Sequence, residues 1–215
     1  MKVWDFANSC CSVTFTDHTQ AVWAVAFHDE GDFLVSASMD HTAKLWDLNS
    51  QRCRNTFRGH VDSINHVIFQ PFSNHICTCS GDKTVSLWDC NSGTCIQTFY
   101  GHINACNKTA FNNRGDTIAS SDADGIVKVW DVRMVKERGS IPAGPHPANQ
   151  VCFDPSGEVL AVASNDGTIK LFSTKDMSKL GELFGHEDSV DALLFDSFGK
   201  FLVSASADCT FRIWQ

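Results

Sequence analysis

Apolar residues in this chain fall in short runs separated by turn-forming clusters, and the runs return at a fixed interval. Ala21 to Phe27 is apolar and rich in β-formers, Asp29 to Asp32 reads as a turn, and Phe33 to Ser38 is a second run. Met39 to Thr42 turns the chain into a third run, Ala43 to Trp46, and Arg52 to Phe57 supplies a fourth before Gly59 and His60 open the next cycle. No helical stretch lies between them, so each cycle predicts a meander of four short antiparallel strands. Trp4, Trp46, Trp88, Trp130, Phe172 and Trp214 follow one another at 42 residues without a slip. Phe27, Phe69, Phe111, Phe153 and Phe195 keep the same interval, as do Asp40, Asp82, Asp124, Asp166 and Asp208. A sheet of this kind has two apolar faces that need neighbours, which favours sheets stacked radially about a channel.

The phase divides the chain into two leading strands in residues 1–16 and repeats at 17–58, 59–100, 101–142, 143–184 and 185–215. Each repeat can also be cut so that the chain reads as two strands, four complete sheets and a last sheet of three strands. The fold class expected is all-β, a propeller of five full repeats plus two leading strands in an incomplete or open ring. The run Ser12 to Phe15 could in principle complete the last sheet and close it.

Trp46-Asp47, Trp88-Asp89 and Trp130-Asp131 end third strands, and Gly59-His60, Gly101-His102 and Gly185-His186 open repeats. On these motifs the chain resembles the WD40 β-propeller family over essentially its whole length. The usual ring of that family has seven blades, which needs about 294 residues at this period, so the chain reads as a shortened form of a longer propeller protein. The resemblance implies a hydrogen-bonded tetrad in each blade. It maps to His18, Ser36, Asp40 and Trp46; to His60, Thr78, Asp82 and Trp88; to His102, Ser120, Asp124 and Trp130; and to His186, Ser204, Asp208 and Trp214. Buried polar groups of this kind are tolerable only as a satisfied network. The fourth repeat carries Gly144, Val162 and Phe172 instead and keeps only Asp166, so its sheet is expected to be the least rigid, with Asp166 capping a turn.

The resemblance also places partner contacts on the rim, five residues past the tetrad histidine and just before the turn aspartate. Candidates are Trp23, Asn65, Asn107, Asn149 and Asp191 from the first set, and Met39 and Asn165 from the second. Trp23 is the best single anchor because Trp is enriched in hot spots, although a large aromatic can also simply pack between blades. The asparagines can equally be bonded to nearby backbone.

Catalytic and ligand motifs are poor by comparison. A His, Ser and Asp set that recurs four times at identical spacing is no single reaction centre, and no GxSxG elbow accompanies it. Lys83-Thr84 after Gly81 lacks the first glycine of a phosphate loop, and His66, His75, Cys77 and Cys79 lack four-ligand metal spacing. Asn107-Lys108-Thr109 matches a glycosylation acceptor that a cytosolic chain would leave unmodified. No cofactor, small-molecule substrate or enzymatic activity is expected.

Charge narrows the partners further. Seventeen Lys plus Arg against 25 Asp plus Glu give a net charge of −8, unfavourable for nucleic acid or an anionic membrane. The longest apolar run is far short of the roughly 20 residues of a membrane span, and the amino end lacks a secretory h-region, so a cytosolic chain with reduced cysteines is expected. Protein partners remain. The segments Thr98 to Asn107, Ser121 to Arg133 and Gly144 to Gly167 resemble sperm-associated WD-repeat proteins of the ciliary central apparatus. That resemblance implies a scaffold in the axoneme of cilia and flagella with microtubule-associated partners. Trp130-Asp131-Val132-Arg133 is similar to the box by which substrate receptors join cullin-type ubiquitin ligases, which would make Arg133, beside Asp131, a contact. Centriolar propellers share the same repeat grammar.

Overall fold

The computed structural model describes all 215 residues and contains 21 β-strands and no helix. A leading hairpin pairs β1 (Lys2–Asp5) with β2 (Cys10–Thr14). Four complete meanders follow: β3 to β6 (Val22–Phe27, Phe33–Ser38, Thr42–Asp47, Arg52–Arg58), β7 to β10 (Ile64–Phe69, His75–Ser80, Val85–Asp89, Cys95–Phe99), β11 to β14 (Cys106–Phe111, Thr117–Asp122, Ile126–Asp131, Lys136–Pro142), and β15 to β18 (Ala148–Phe153, Val159–Ser164, Ile169–Ser173, Lys179–Leu183). The last sheet has three strands, β19 (Val190–Phe195), β20 (Leu202–Ser206) and β21 (Phe211–Trp214). No sheet closes on another, so the molecule is an open propeller. Ser12 to Phe15 does not complete the last sheet: β2 hydrogen-bonds to β1, and Phe15 lies 4.5 Å, centroid to centroid, from Trp46 of the first blade.

Blades stack face to face, and the core is a series of such contacts. Val35, Ala37 and Leu45 of the first blade pack against Ile64, Val67, Ile76 and Trp88 of the second, and the pattern repeats along the chain. Small residues on one face leave room for the indole of the next, which buries both. Position in the stack then decides exposure. Val67 and Ile169 are fully buried, whereas their repeat equivalents at the two end faces, Val25 and Phe211, are 51% and 72% exposed.

The five innermost strands share an irregularity. Each first strand of a blade carries a register shift at one place, so that Val22 pairs with Ser38 and Ala24 with Ala37 while Trp23 is left over. The same shift leaves out Asn65, Asn107, Asn149 and Asp191. An extra residue in one strand of an antiparallel pair is a β-bulge, which bends the strand and re-aims a side chain. Here it re-aims one per blade toward the channel.

Candidate functional site

The recurring polar sets are buried networks between strands. His18 Nδ1 lies 2.8 Å from Asp40 Oδ2 and His18 Nε2 lies 2.7 Å from Ser36 Oγ, while Trp46 Nε1 donates to the same Oγ at 2.8 Å. His60, Asp82, Thr78 and Trp88 repeat this geometry, as do His186, Asp208, Ser204 and Trp214. The threonine two residues after each of these aspartates, Thr42, Thr84 or Thr210, donates its hydroxyl to the other carboxylate oxygen. Burial pushes the Asp40 and Asp82 carboxyls up, but the bonds from Thr42 and Thr84 and from His18 and His60 outweigh it. Asp40 is held at about 2, and Asp82 is likewise well below the usual range. Ser36, Thr78, Ser120 and Ser204 are sealed from solvent and already hydrogen-bonded, so none can serve as an attacking nucleophile.

The third blade corrects one assignment. His102 Nδ1 meets Asp122 Oδ2 at 2.8 Å and not Asp124. Asp122 sits where the other blades have Ser38, Ser80, Ser164 and Ser206, and its Oδ1 accepts the backbone N–H of Asp124 and of Ile126. One carboxylate thus replaces both the serine that braces the turn and the aspartate that holds the histidine. Ile126 occupies the threonine position and has no hydroxyl to tether an aspartate at 124, so Asp124 turns outward and accepts Asn104 Nδ2 at 2.9 Å.

The fourth blade is rebuilt rather than degraded. Lys170 reaches from β17 to Asp166 at 2.9 Å and is buried, and Thr168 bonds the same carboxylate. Asp166 therefore anchors a buried ammonium in addition to its turn. A Cβ on Gly144, the position of the absent histidine, would fall 2.9 Å from Lys170 Nζ, so the lysine occupies the histidine's space. Phe172 brings no indole N–H and Val162 no hydroxyl. Donor and acceptor disappear together, which orphans neither.

On the rim, the bulges bring Trp23, Asn65, Asn107 and Asn149 to one cavity of about 410 Å³, together with Lys108. Trp23 is 57% exposed and is not packed between blades. The asparagines bond across blades: Asn65 Nδ2 donates to Cys106 O at 2.8 Å, Asn107 Nδ2 to Ala148 O at 3.0 Å, and Asn149 Nδ2 to Val190 O at 3.1 Å. Each amide clips its blade to the first strand of the next, leaving its carbonyl oxygen for other contacts. Asp191, exposed, accepts Asn149 Nδ2 at 3.3 Å, and Met39 and Asn165 are exposed at the neighbouring turns outside the cavity lining. Lys108 was not among the sequence candidates. Desolvation lowers its ammonium pKa, and it stands beside His66, whose imidazole is pushed down to about 3 by desolvation and by that ammonium. The clue available was that repeat positions 66, 108 and 150 hold His, Lys and Gln where 24 and 192 hold alanine.

Asp131 accepts the backbone N–H of Arg133 and of Met134, both at 2.9 Å, and so caps the β13–β14 turn; Arg133 itself is exposed. All ten cysteines are free thiols, and burial pushes those of Cys77, Cys79 and Cys106 far up, away from thiolate chemistry.

Comparison with known proteins agrees with this geometry. The family description "WD domain, G-beta repeat" matches residues 9–47, 51–89, 93–131, 140–173 and 177–215, each match ending at or near a third strand. Over 44 residues the chain is 43% identical to periodic tryptophan protein 2 of Arabidopsis thaliana and 41% identical to the periodic tryptophan protein 2 homolog of Caenorhabditis elegans. Each match covers 20% of this chain and 5% of the relative, about the length of one repeat.

Proposed function

The chain belongs to the WD40-repeat family, whose domains mediate protein–protein interactions, and on that premise we propose that it is a non-catalytic scaffold of the axonemal central apparatus. The observation that carries the scaffold reading is the rim cavity. Four bulged first strands present a row of side chains at one mouth of the channel, among them an exposed indole, three asparagine carbonyls and a lysine. Such a mixture suits a protein surface, with Trp23 as an apolar anchor and the amides as adaptable polar contacts. The rigid, clipped blades beneath keep the row preorganised.

Placement in motile cilia rests on the likeness of Thr98 to Asn107, Ser121 to Arg133 and Gly144 to Gly167 to ciliary WD-repeat proteins. The partners on this reading are microtubule-associated proteins, and the location is the cytoplasm within cilia and flagella. Co-sedimentation tests it. The chain is expected to pellet with detergent-extracted, salt-washed axonemes and to leave ligase subunits in the supernatant unbound. Recovery with a cullin-type ligase in place of axonemes would overturn the cytoskeletal reading and favour the adaptor one.

A further inference from the structure

At the end of the strands opposite the rim, a cleft of about 480 Å³ opens between the third and fourth blades. Arg114 enters it from the β11–β12 turn, Arg133 from the β13–β14 turn, Arg138 from β14 and Lys175 from the β17–β18 turn. The chain has seven arginines, so three of them line one cleft of a molecule whose net charge is −8.

Four cations meet three carboxylates in this cleft, but the arginines are not paired with them at contact distance. Each resident carboxylate already has a partner: Asp116 Oδ1 accepts Asn112 Nδ2 at 2.8 Å and Thr117 Oγ1 at 3.1 Å, Asp131 caps its turn, and Glu158 takes Lys175 Nζ at 2.6 Å. The arginines have no close one, although Arg133 and Arg114 stand near enough to Asp116 to help the Asn112 bond hold its carboxyl below the usual range. No ion pair within 4.0 Å involves Arg114, Arg133 or Arg138, and Arg138 is steadied only by Thr117 Oγ1 at 3.2 Å. Three guanidiniums, each able to give two parallel N–H bonds to a carboxylate, are therefore without an ion-pair partner at contact distance, and those of Arg114 and Arg133 make no side-chain hydrogen bond.

We infer that this cleft binds an extended segment of a partner protein rich in aspartate and glutamate. The cations stand at separate turns and on a strand across two blades, an arrangement matched by single charges spaced along a chain and not by one compact dianion. The inference rests on the scaffold reading and adds a second docking face to it, since the rim and the cleft lie at opposite ends of the strands.

The test uses the full chain and fluorescence anisotropy of a labelled glutamate–glycine peptide, with the glutamine–glycine peptide and a singly phosphorylated serine–glycine peptide as comparisons. The expected result is at least tenfold tighter binding of the glutamate peptide than of either comparison at low salt, weakening as salt rises. Arg114→Gln with Arg133→Gln should reduce that affinity at least tenfold with unchanged melting. Lys136→Gln removes one positive charge just outside the lining and should change affinity less than twofold. Diffuse charge attraction would give the one-charge variant about half the logarithmic loss of the two-charge variant, and that outcome, or tightest binding to the phosphoserine peptide, or no preference for glutamate, would overturn the assignment. If the cleft variant leaves peptide binding intact while the chain still pellets with axonemes, the scaffold reading stands and the cleft assignment alone fails.

Discussion

Asp122→Ala should destabilise the protein by about 2 to 4 kcal/mol, while Asp124→Ala should fall within about 0.5 kcal/mol of wild type. Removing the Asp122 carboxylate takes the acceptor from His102, whose side chain is fully buried, and from the backbone N–H of Asp124 and Ile126. His102 also bonds Ser120 at 2.6 Å, and Ser120 receives Trp130 Nε1 at 2.8 Å, so the loss spreads through a network rather than one bond. Asp124 has only the exposed contact to Asn104 to lose. Differential scanning calorimetry separates them, since for a chain of this length the larger effect is a fall in Tm of roughly 5 to 15 °C. Equal shifts, or a larger one for Asp124→Ala, would return the tetrad role to Asp124.

Asp166→Ala should cost about 2 to 3 kcal/mol, comparable with an intact tetrad, because it strands the buried Lys170 ammonium. Glu182 at 3.9 Å offers partial relief, which keeps the cost below that of a fully isolated charge. The second substitution decides the mechanism. With Lys170→Met added, both partners of the pair are gone and most of the lost stability should return. Urea midpoints of the single and double variants read this directly. A single variant that melts like wild type would mean that Asp166 only caps its turn.

The strands and their stacking were legible because repeats of constant length place the same residue types on the same face of every blade. The open ring was legible from counting. Asp122 was hidden because two aspartates stand two residues apart and the 42-residue phase selects the wrong one. Two departures signal the exchange: Ile126, the one missing threonine hydroxyl among the repeats, and Asp122 itself, the one carboxylate where the other repeats have serine. The rim row was found by position but not its cause. In the second to fifth blades buried first-strand residues come three apart, as Ile64 and Val67 or Val190 and Leu193, which a regular strand cannot do and a bulge can. Lys170 and the arginine cleft were invisible because they join residues from different turns or strands, whose meeting depends on how far long side chains reach.

The central claim is that the rim docks a partner independently of the networks that hold the blades, and one variant tests it most directly. Trp23→Ala removes an exposed ring and should keep wild-type melting while weakening retention on salt-washed axonemes by about 2 kcal/mol or more, roughly thirtyfold. Retention is read as the bound fraction over a titration of axonemes. Full retention of a folded Trp23→Ala chain would contradict the account.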